Sequence, residues 1–285
     1  MKVPSVFGDD YVVETPRGNM TKLGEIARRV FGEAIGEPFE PTPARIESLR
    51  ELHDPAYVDA FVLGESPLCR SNNLPWSQKL VRAVLAMNGG MLTAAEVALS
   101  RGIAVNIANG FHHALYSRGQ AYCTFNGLAY LAARHPELNV FVLDLDQHGG
   151  NGTEDFTFRL ENLTAFSIHG SPFGCRGGPR SHLRKLVGLT DDPAPLWHAL
   201  DEAFDHARGC DLLVVQAGVD CHLDDPHGSM GLTAESLRVR DERVFRWARR
   251  QALPTVVTLA GGYQGWPRLI DLHLATFEVI AGIYR

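Results

Sequence analysis

No Cys-x-x-Cys pair occurs among the five cysteines of this 285-residue chain (Cys69, Cys123, Cys175, Cys210 and Cys221), and an odd number cannot all pair internally. A disulfide framework and a cysteine-rich zinc site are therefore excluded, and the thiols are expected to be small buried hydrophobes in a reducing compartment. No uninterrupted apolar run approaches the roughly 18 residues that cross a bilayer. No apolar stretch precedes Asp9 and Asp10 either, so neither a membrane span nor a secretory signal is expected. Excess positive charge is also missing: 27 Lys and Arg stand against 33 Asp and Glu, a net charge of -6. That balance speaks against a nucleic-acid backbone or an anionic membrane as partner. The patterns G-x-x-x-x-G-K-[ST], G-x-G-x-x-G and G-x-S-x-G do not occur, which argues against nucleotide binding and serine hydrolysis. Repeats, low-complexity segments and linkers are absent too. With 45% hydrophobic and 21% charged residues, the expectation is one globular domain over residues 1–285, in the cytoplasm.

What is present is a set of short, β-branched apolar runs: Ile103 to Ile107, Val140 to Leu145, Leu163 to Ile168, Leu212 to Val215 and Thr255 to Leu259. Near-continuous rather than alternating, they read as parallel strands covered on both faces. Amphipathic helical patterns lie between them, at Pro195 to Arg208 and at Thr233 to Gln251, the latter with Thr233 as N-cap. Trp76 to Arg101 reads as one long helix or as two, interrupted at Asn88-Gly89-Gly90. The fold class is α/β, an open, mostly parallel sheet flanked by helices. On that sheet the polar residues converge. His112 and His113 follow the first run, Asp144, Asp146 and His148 close the second, and Ser167 and His169 end the third. Asp220 follows the fourth and Gly261-Gly262-Tyr263 the fifth. Parallel sheets bind ligands outside the carboxyl ends of their strands.

Asp146-Gln-His148 places a carboxylate and an imidazole on one side of an extended segment, where they can share a metal. Three other Asp-x-His triplets occur. Asp271/His273 lies in a helical pattern and reads as surface, Asp225-Pro-His227 as a turn. At Asp220-Cys-His222 we favour Asp220 as the ligand and His222 as its neighbour in the loop. An Asp/His/Asp set leaves positions open for water and a carbonyl oxygen, as in catalytic rather than structural sites. A dinuclear manganese centre needs a bridging carboxylate where the chain has Gly150, so one metal is expected: zinc, with Fe²⁺ as the alternative. His112-His113 supplies proton-transfer groups, Tyr263 a donor for an oxyanion, and Asp144 a group to orient a histidine or hold a monovalent cation.

Leu52-His-Asp-Pro-Ala-Tyr-Val58, Gly110-Phe-His-His-Ala114, Asp144-Leu-Asp-Gln-His-Gly-Gly-Asn-Gly152, Ser167-Ile-His169, Gly218-Val-Asp220 and Gly261-Gly-Tyr263 occur in the order seen in the histone deacetylase superfamily. From about Leu52 onward the chain resembles its short bacterial, class IV-like branch. The resemblance implies the three-layer arginase/deacetylase fold and a zinc amidohydrolase that removes acyl groups from lysine side chains in proteins or peptides. An acetylpolyamine or other acylated small amine is the alternative substrate, and an acyl-lysine-binding module without turnover the alternative to an enzyme. It implies Asp146, His148 and Asp220 as zinc ligands and His113 as general base and acid. His112 would be an electrostatic helper paired with Asp144, and Tyr263 the group that polarises the amide. A potassium ion would sit on Asp144, Ser167 and the carbonyls of Asp146, His148 and Ile168. Tyr122, Phe173 and Gly262 would line the tunnel. The chain departs from the pattern in several ways: Asn151 stands where many members carry an Asp partner for the second histidine, Gln120-Ala-Tyr122 replaces Gly-Gly/Phe beside the tunnel, Ala260 shortens the usual glycine run before Tyr263, the segment before Leu52 matches poorly, and the Arg70–Asn73 loop has no clear Asp to clamp a peptide.

Overall fold

The structure, a computed structural model, describes all residues except Met1, Arg17 and Asn19. In chain order the elements are β1 (Val3–Val6), α1 (Thr21–Gly32), β2 (Gly36–Phe39), α2 (Ile46–Leu52), α3 (Pro55–Leu63), α4 (Gln78–Arg101), β3 (Ile103–Asn106), α5 (Gly127–Arg134), β4 (Val140–Asp144), α6 (Asn151–Thr157), β5 (Leu163–His169), β6 (Ser181–Lys185), α7 (Ala194–His206), β7 (Leu212–Gln216), α8 (Ala234–Arg250), β8 (Thr255–Thr258) and α9 (Arg268–Ile283). The strands form one sheet in the order β2-β1-β3-β8-β7-β4-β5-β6, and every pairing is parallel.

All five expected strands are present, with ends within one or two residues of the apolar runs. Three more join them at the two sides of the sheet. β1 and β2 are four residues long and each holds a proline, and β6 (Ser181-His-Leu-Arg-Lys185) is mostly polar, so none of them carries a buried-strand pattern. The helices pack among themselves in two groups, α1 with α7, α8 and α9, and α2 through α6. The central strands are buried on both faces, as their continuous apolar runs require.

α4 is one uninterrupted helix. Ser77 caps its start, its Oγ accepting from Leu80 N at 3.0 Å, and Gly102 ends it in the left-handed region. Asn88-Gly89-Gly90 is no break because the glycines answer a packing demand. A Cβ on Gly89 would stand 1.8 Å from the Thr42 carbonyl oxygen, and one on Gly90 1.9 Å from the Tyr11 hydroxyl. By length and composition α4 is the one helix among the described residues that could cross a membrane, yet 61% of its apolar window is buried inside the protein. Thr233 caps α8 as expected. His273 overturns the surface reading of Asp271/His273. Asp271 is exposed, but two residues on, His273 turns to the inner face of α9 and is completely buried.

Candidate active site

The carboxyl ends of β3, β4, β5, β7 and β8 bring the polar groups to one edge. Just past β4, Asp146 Oδ1 accepts from His148 N (2.9 Å), and Asp146 Oδ2 accepts from Gly261 N beyond β8 (2.8 Å). Past β7, Asp220 Oδ1 accepts from Gln147 N (2.9 Å). Gln147 is itself buried, its amide spanning Ser229 Oγ and Met230 N. Donor atoms of Asp146, His148 and Asp220 lie within 4.8 Å of one another, the only such cluster of three or more His, Cys, Asp or Glu among the described residues. His222 is not in it. Its Nδ1 accepts from Asp224 N and its Nε2 faces Arg268, so the choice of Asp220 over His222 agrees with the geometry.

The electrostatics of this cluster call for a cation. Burial and the neighbouring Asp146 push the Asp220 carboxyl up to about 7. Asp146, equally buried, is held well below the usual range by His112 and His148. Burial works against a charge on His148, but the two carboxylates, at 3.2 and 3.3 Å from its Nδ1, raise it to about 10. Asp220 Oδ2 is buried and accepts no hydrogen bond. Two buried carboxylates this close are costly unless a cation shares them, and two oxygens with one imidazole suit a divalent metal that keeps open positions. The residues fit such an ion. Gly261 makes the enclosure possible: a Cβ there would stand 2.1 Å from Asp220 Oδ2 and 2.6 Å from Asp146 Oδ2.

Beside the cluster lie two histidines in different states. His112 Nδ1 is 2.7 Å from Asp144 Oδ2; burial opposes its charge, but Asp144 and Asp146 outweigh it and raise its pKa. His113 Nδ1 is 2.8 Å from Asn151 Oδ1, and burial followed by the charge on His112 drives its pKa well below the usual imidazole value. The ring centroids are 3.9 Å apart, which places an imidazole biased toward its charged form against one biased toward its neutral form. Gly152 lets α6 press on their backbone, since a Cβ would meet the Ala114 carbonyl oxygen at 2.3 Å. Gly149 and Gly150 serve close packing too, since a Cβ would stand 2.6 Å from the Pro172 carbonyl oxygen and 2.4 Å from Asp144 Oδ2 respectively.

Tyr263 faces the same space. An inner cavity of about 40 Å³ is lined by His112, His113, Asp146, His148, Gln216 and Tyr263, and it opens to an outer one of about 270 Å³ between Tyr122, Phe173, His227 and Tyr263. Phe173 lies tilted against His113, with ring centroids 4.1 Å apart. Gly262 departs from expectation. It lies behind the wall, where a Cβ would meet Leu269 and Val219, and lines neither cavity. Of the residues assigned to potassium, Asp144 and Ser167 are buried and directly opposite in the β4–β5 register, with Ile168 next to Ser167. Their side chains also serve His112, Asp146 N and His169.

Sequence reasoning passed over several supports. Asp225, taken as part of a turn, does form one (its Oδ1 accepts from His227 N), but its Oδ2 also accepts from Tyr263 N at 2.8 Å. Glu154, buried on α6, accepts from Arg176 N, Gly177 N and Ser181 Oγ at 2.8–2.9 Å and so anchors the loop that carries Phe173. Lys22 is buried on α1 and donates to the Ala260 carbonyl at 2.7 Å, just before Gly261. Burial lowers its pKa to about 8 against the pull of Asp220, Asp146 and Asp225. The available signal was its spacing: Lys22, Ile26 and Val30 share the apolar stripe of α1.

Residues 18–183 and 195–276 match the histone deacetylase domain. The chain belongs to the histone deacetylase family. The match begins well before Leu52, so α1 with Lys22 belongs to the family's domain, contrary to a resemblance starting at Leu52. Histone deacetylase 2 of Arabidopsis thaliana is 29% identical, over 85% of this chain and 68% of that protein. Acetylpolyamine amidohydrolase 1 of Pseudomonas aeruginosa is 29% identical, over 53% of this chain and 48% of that protein. The crystal structure of an acetylpolyamine aminohydrolase from Burkholderia pseudomallei superimposes with a TM-score of 0.80 at 20% identity, covering all of both chains, which gives the chain the arginase/deacetylase fold. The chain is thus an amidohydrolase of the deacetylase family.

Proposed function

We propose that the chain hydrolyses the amide of an N-acetylated small amine of the polyamine kind, using zinc and releasing acetate and the primary amine. The observation that carries the reaction is the meeting of a cluster of three possible metal donors, two adjacent imidazoles with opposite pKa shifts and a phenol around one narrow cavity. Asp146, His148 and Asp220 would hold the zinc, which when bound lowers the pKa of water and polarises the amide carbonyl. His113, neutral at pH 7, takes the proton from the attacking water at its free ring nitrogen and returns it to the departing amine. The Tyr263 hydroxyl donates to the developing oxyanion, and Asp225 holds its backbone in place. His112, whose pKa Asp144 and Asp146 raise against burial, favours positive charge beside it. Potassium beside Asp144 and Ser167, implied by the family, is part of the proposal.

The inner cavity of about 40 Å³ has room for roughly three water-sized groups, the size of an acetyl group rather than a fatty acyl chain. Aromatic faces of Tyr122 and Phe173 at the outer cavity suit a second ammonium of the substrate. Among the described residues no carboxylate lines that cavity to grip a peptide backbone, and relatives named acetylpolyamine amidohydrolases support the same class. Acyl-lysine in peptides is the competing reading, favoured by the likeness to the Arabidopsis histone deacetylase. The test is amine release by the zinc-loaded protein from an acetylated diamine, an acetyl-lysine peptide and a long-acyl-lysine peptide. We expect kcat/KM to be at least tenfold higher for the diamine, and kcat to fall about 100- to 1000-fold in Tyr263→Phe. A faster peptide would transfer the assignment to lysine deacylation, and no turnover on any of the three would overturn the hydrolase reading.

A further inference from the structure

The partner of His113 is an amide, and an amide has two ends. Asn151 presents Oδ1 to His113 Nδ1 at 2.8 Å. An oxygen can only accept, so Nδ1 carries the ring proton and Nε2 keeps the lone pair that a base needs. Turned over, Asn151 would present its NH2 group instead. Nδ1 would then have to accept, the proton would move to Nε2, and the base would be lost. A carboxylate at this position has no such ambiguity, because both of its oxygens accept.

The orientation of Asn151 is set from its other side. Its Nδ2 donates to Gln120 Oε1 at 2.9 Å. The backbone that carries Gln120 is fixed. Gln120 pairs through its backbone with Cys123 in both directions (2.9 and 2.8 Å), closing a tight turn whose two central residues, Ala121 and Tyr122, both take positive φ (44° and 67°). The turn is braced from outside by Tyr122 N donating to the Asn72 carbonyl (2.7 Å) and Ala121 N to Asn73 Oδ1 (3.3 Å). Non-glycine residues in this conformation are strained and persist only where the surroundings hold them.

We infer that Gln120 is a positioning residue which, by accepting from Asn151 Nδ2, selects the Nδ1-protonated tautomer of His113. The inference rests on the reading of His113 as the base. It gives Gln120, which stands at the edge of the tunnel motif, a role two hydrogen bonds away from the reacting atoms. It also explains how an asparagine serves where a carboxylate would need no helper.

The test combines steady-state kinetics with 15N-histidine NMR of the zinc-loaded protein, which distinguishes the two imidazole tautomers independently of turnover. The proteins are wild type, Gln120→Met (similar in shape but no oxygen acceptor), Gln120→Glu (acceptor retained), Asn151→Asp and the Asn151→Asp/Gln120→Met pair. A single hydrogen bond biases an orientation by several-fold. We therefore expect Gln120→Met to lower kcat by about three- to tenfold with little change in KM, and to populate the Nε2-protonated form of His113. Gln120→Glu should keep the Nδ1-protonated form. In the Asn151→Asp background, Gln120→Met should change neither kcat nor tautomer. An unchanged tautomer in Gln120→Met, or an equal loss of kcat in both backgrounds, would overturn the inference and leave Gln120 as a brace of the turn. The expected tautomer shifts in a protein that hydrolyses no acylated amine would support the inference while refuting the proposed function.

Discussion

Gly261→Ala is the sharpest perturbation of the proposed metal site, since it adds one methyl group to backbone lying directly on Asp146 and Asp220. The added Cβ would stand 2.1 Å from Asp220 Oδ2, 2.5 Å from Asp220 Cγ and 2.6 Å from Asp146 Oδ2. Ordinary contact starts near 3.4 Å, so Asp220 would have to retreat by about 1.3 Å, the difference between 3.4 and 2.1. Metal sites tolerate ligand displacements of roughly 0.2 Å. Both carboxylates are buried and already bonded, Asp220 to Gln147 N and Asp146 to Gly261 N itself, so neither can swing aside freely. The conformation of Gly261 is open to alanine, because it does not have the positive φ that penalises a side chain, and the effect is one of space alone. Zinc affinity, measured by chelator competition, should fall at least about 100-fold, while far-UV circular dichroism of the metal-free protein stays that of wild type. Gly265→Ala, four residues on with nothing within 4 Å of its added Cβ, should bind zinc as wild type does. Wild-type zinc affinity in Gly261→Ala would refute the assignment of Asp146 and Asp220 as joint ligands.

Two further outcomes follow from buried groups around the site. Replacing Glu154 by Gln turns one accepting oxygen into a donor facing Arg176 N, or facing Gly177 N and Ser181 Oγ. We expect a loss of about 2 kcal/mol, seen as a Tm lower by about 4–6 °C, and a several-fold higher KM with kcat nearly unchanged, since the anchored loop carries Phe173; an unaltered KM would detach that loop from substrate binding. His53 concerns stability against pH. Its Nδ1 faces the Leu115 and Tyr116 carbonyls, its Nε2 accepts from Asn126 N, and burial lowers its pKa to about 4. The unfolded chain binds a proton near pH 6.5 that the native state refuses until about pH 4, so the contribution is complete above 6.5 and is lost as pH falls toward 4, about 3 kcal/mol in all. Urea unfolding between pH 4 and 7 should show linked proton uptake smaller by about one in His53→Gln; an identical slope would show that His53 is not the group responsible.

The sequence by itself determined five strands of the sheet and the meeting of polar residues at their carboxyl edge. Five buried strands were legible because parallel strands covered on both faces must be apolar throughout, and the polar residues closing those runs had to meet at one edge. This is why Asp146, His148, Asp220, His112, His113 and Tyr263 could be named from order alone. Tertiary structure decided what depends on proximity between segments distant in sequence. β1, β2 and β6 gain their strand character from neighbours rather than from their own short or polar residues, so no run announced them. The glycines of α4 look like a break until Thr42 and Tyr11 are found against them, and His273 looks exposed until α9 is laid on the sheet. Asp225, Glu154 and Lys22 hold backbone 22 to 238 residues away, and Gln120 meets Asn151 across 31. Periodicity carries information about which face of an element is buried. It carries none about which buried polar atom will find which partner, and in this protein those pairings fix the orientation of the histidines and carboxylates at the sheet edge.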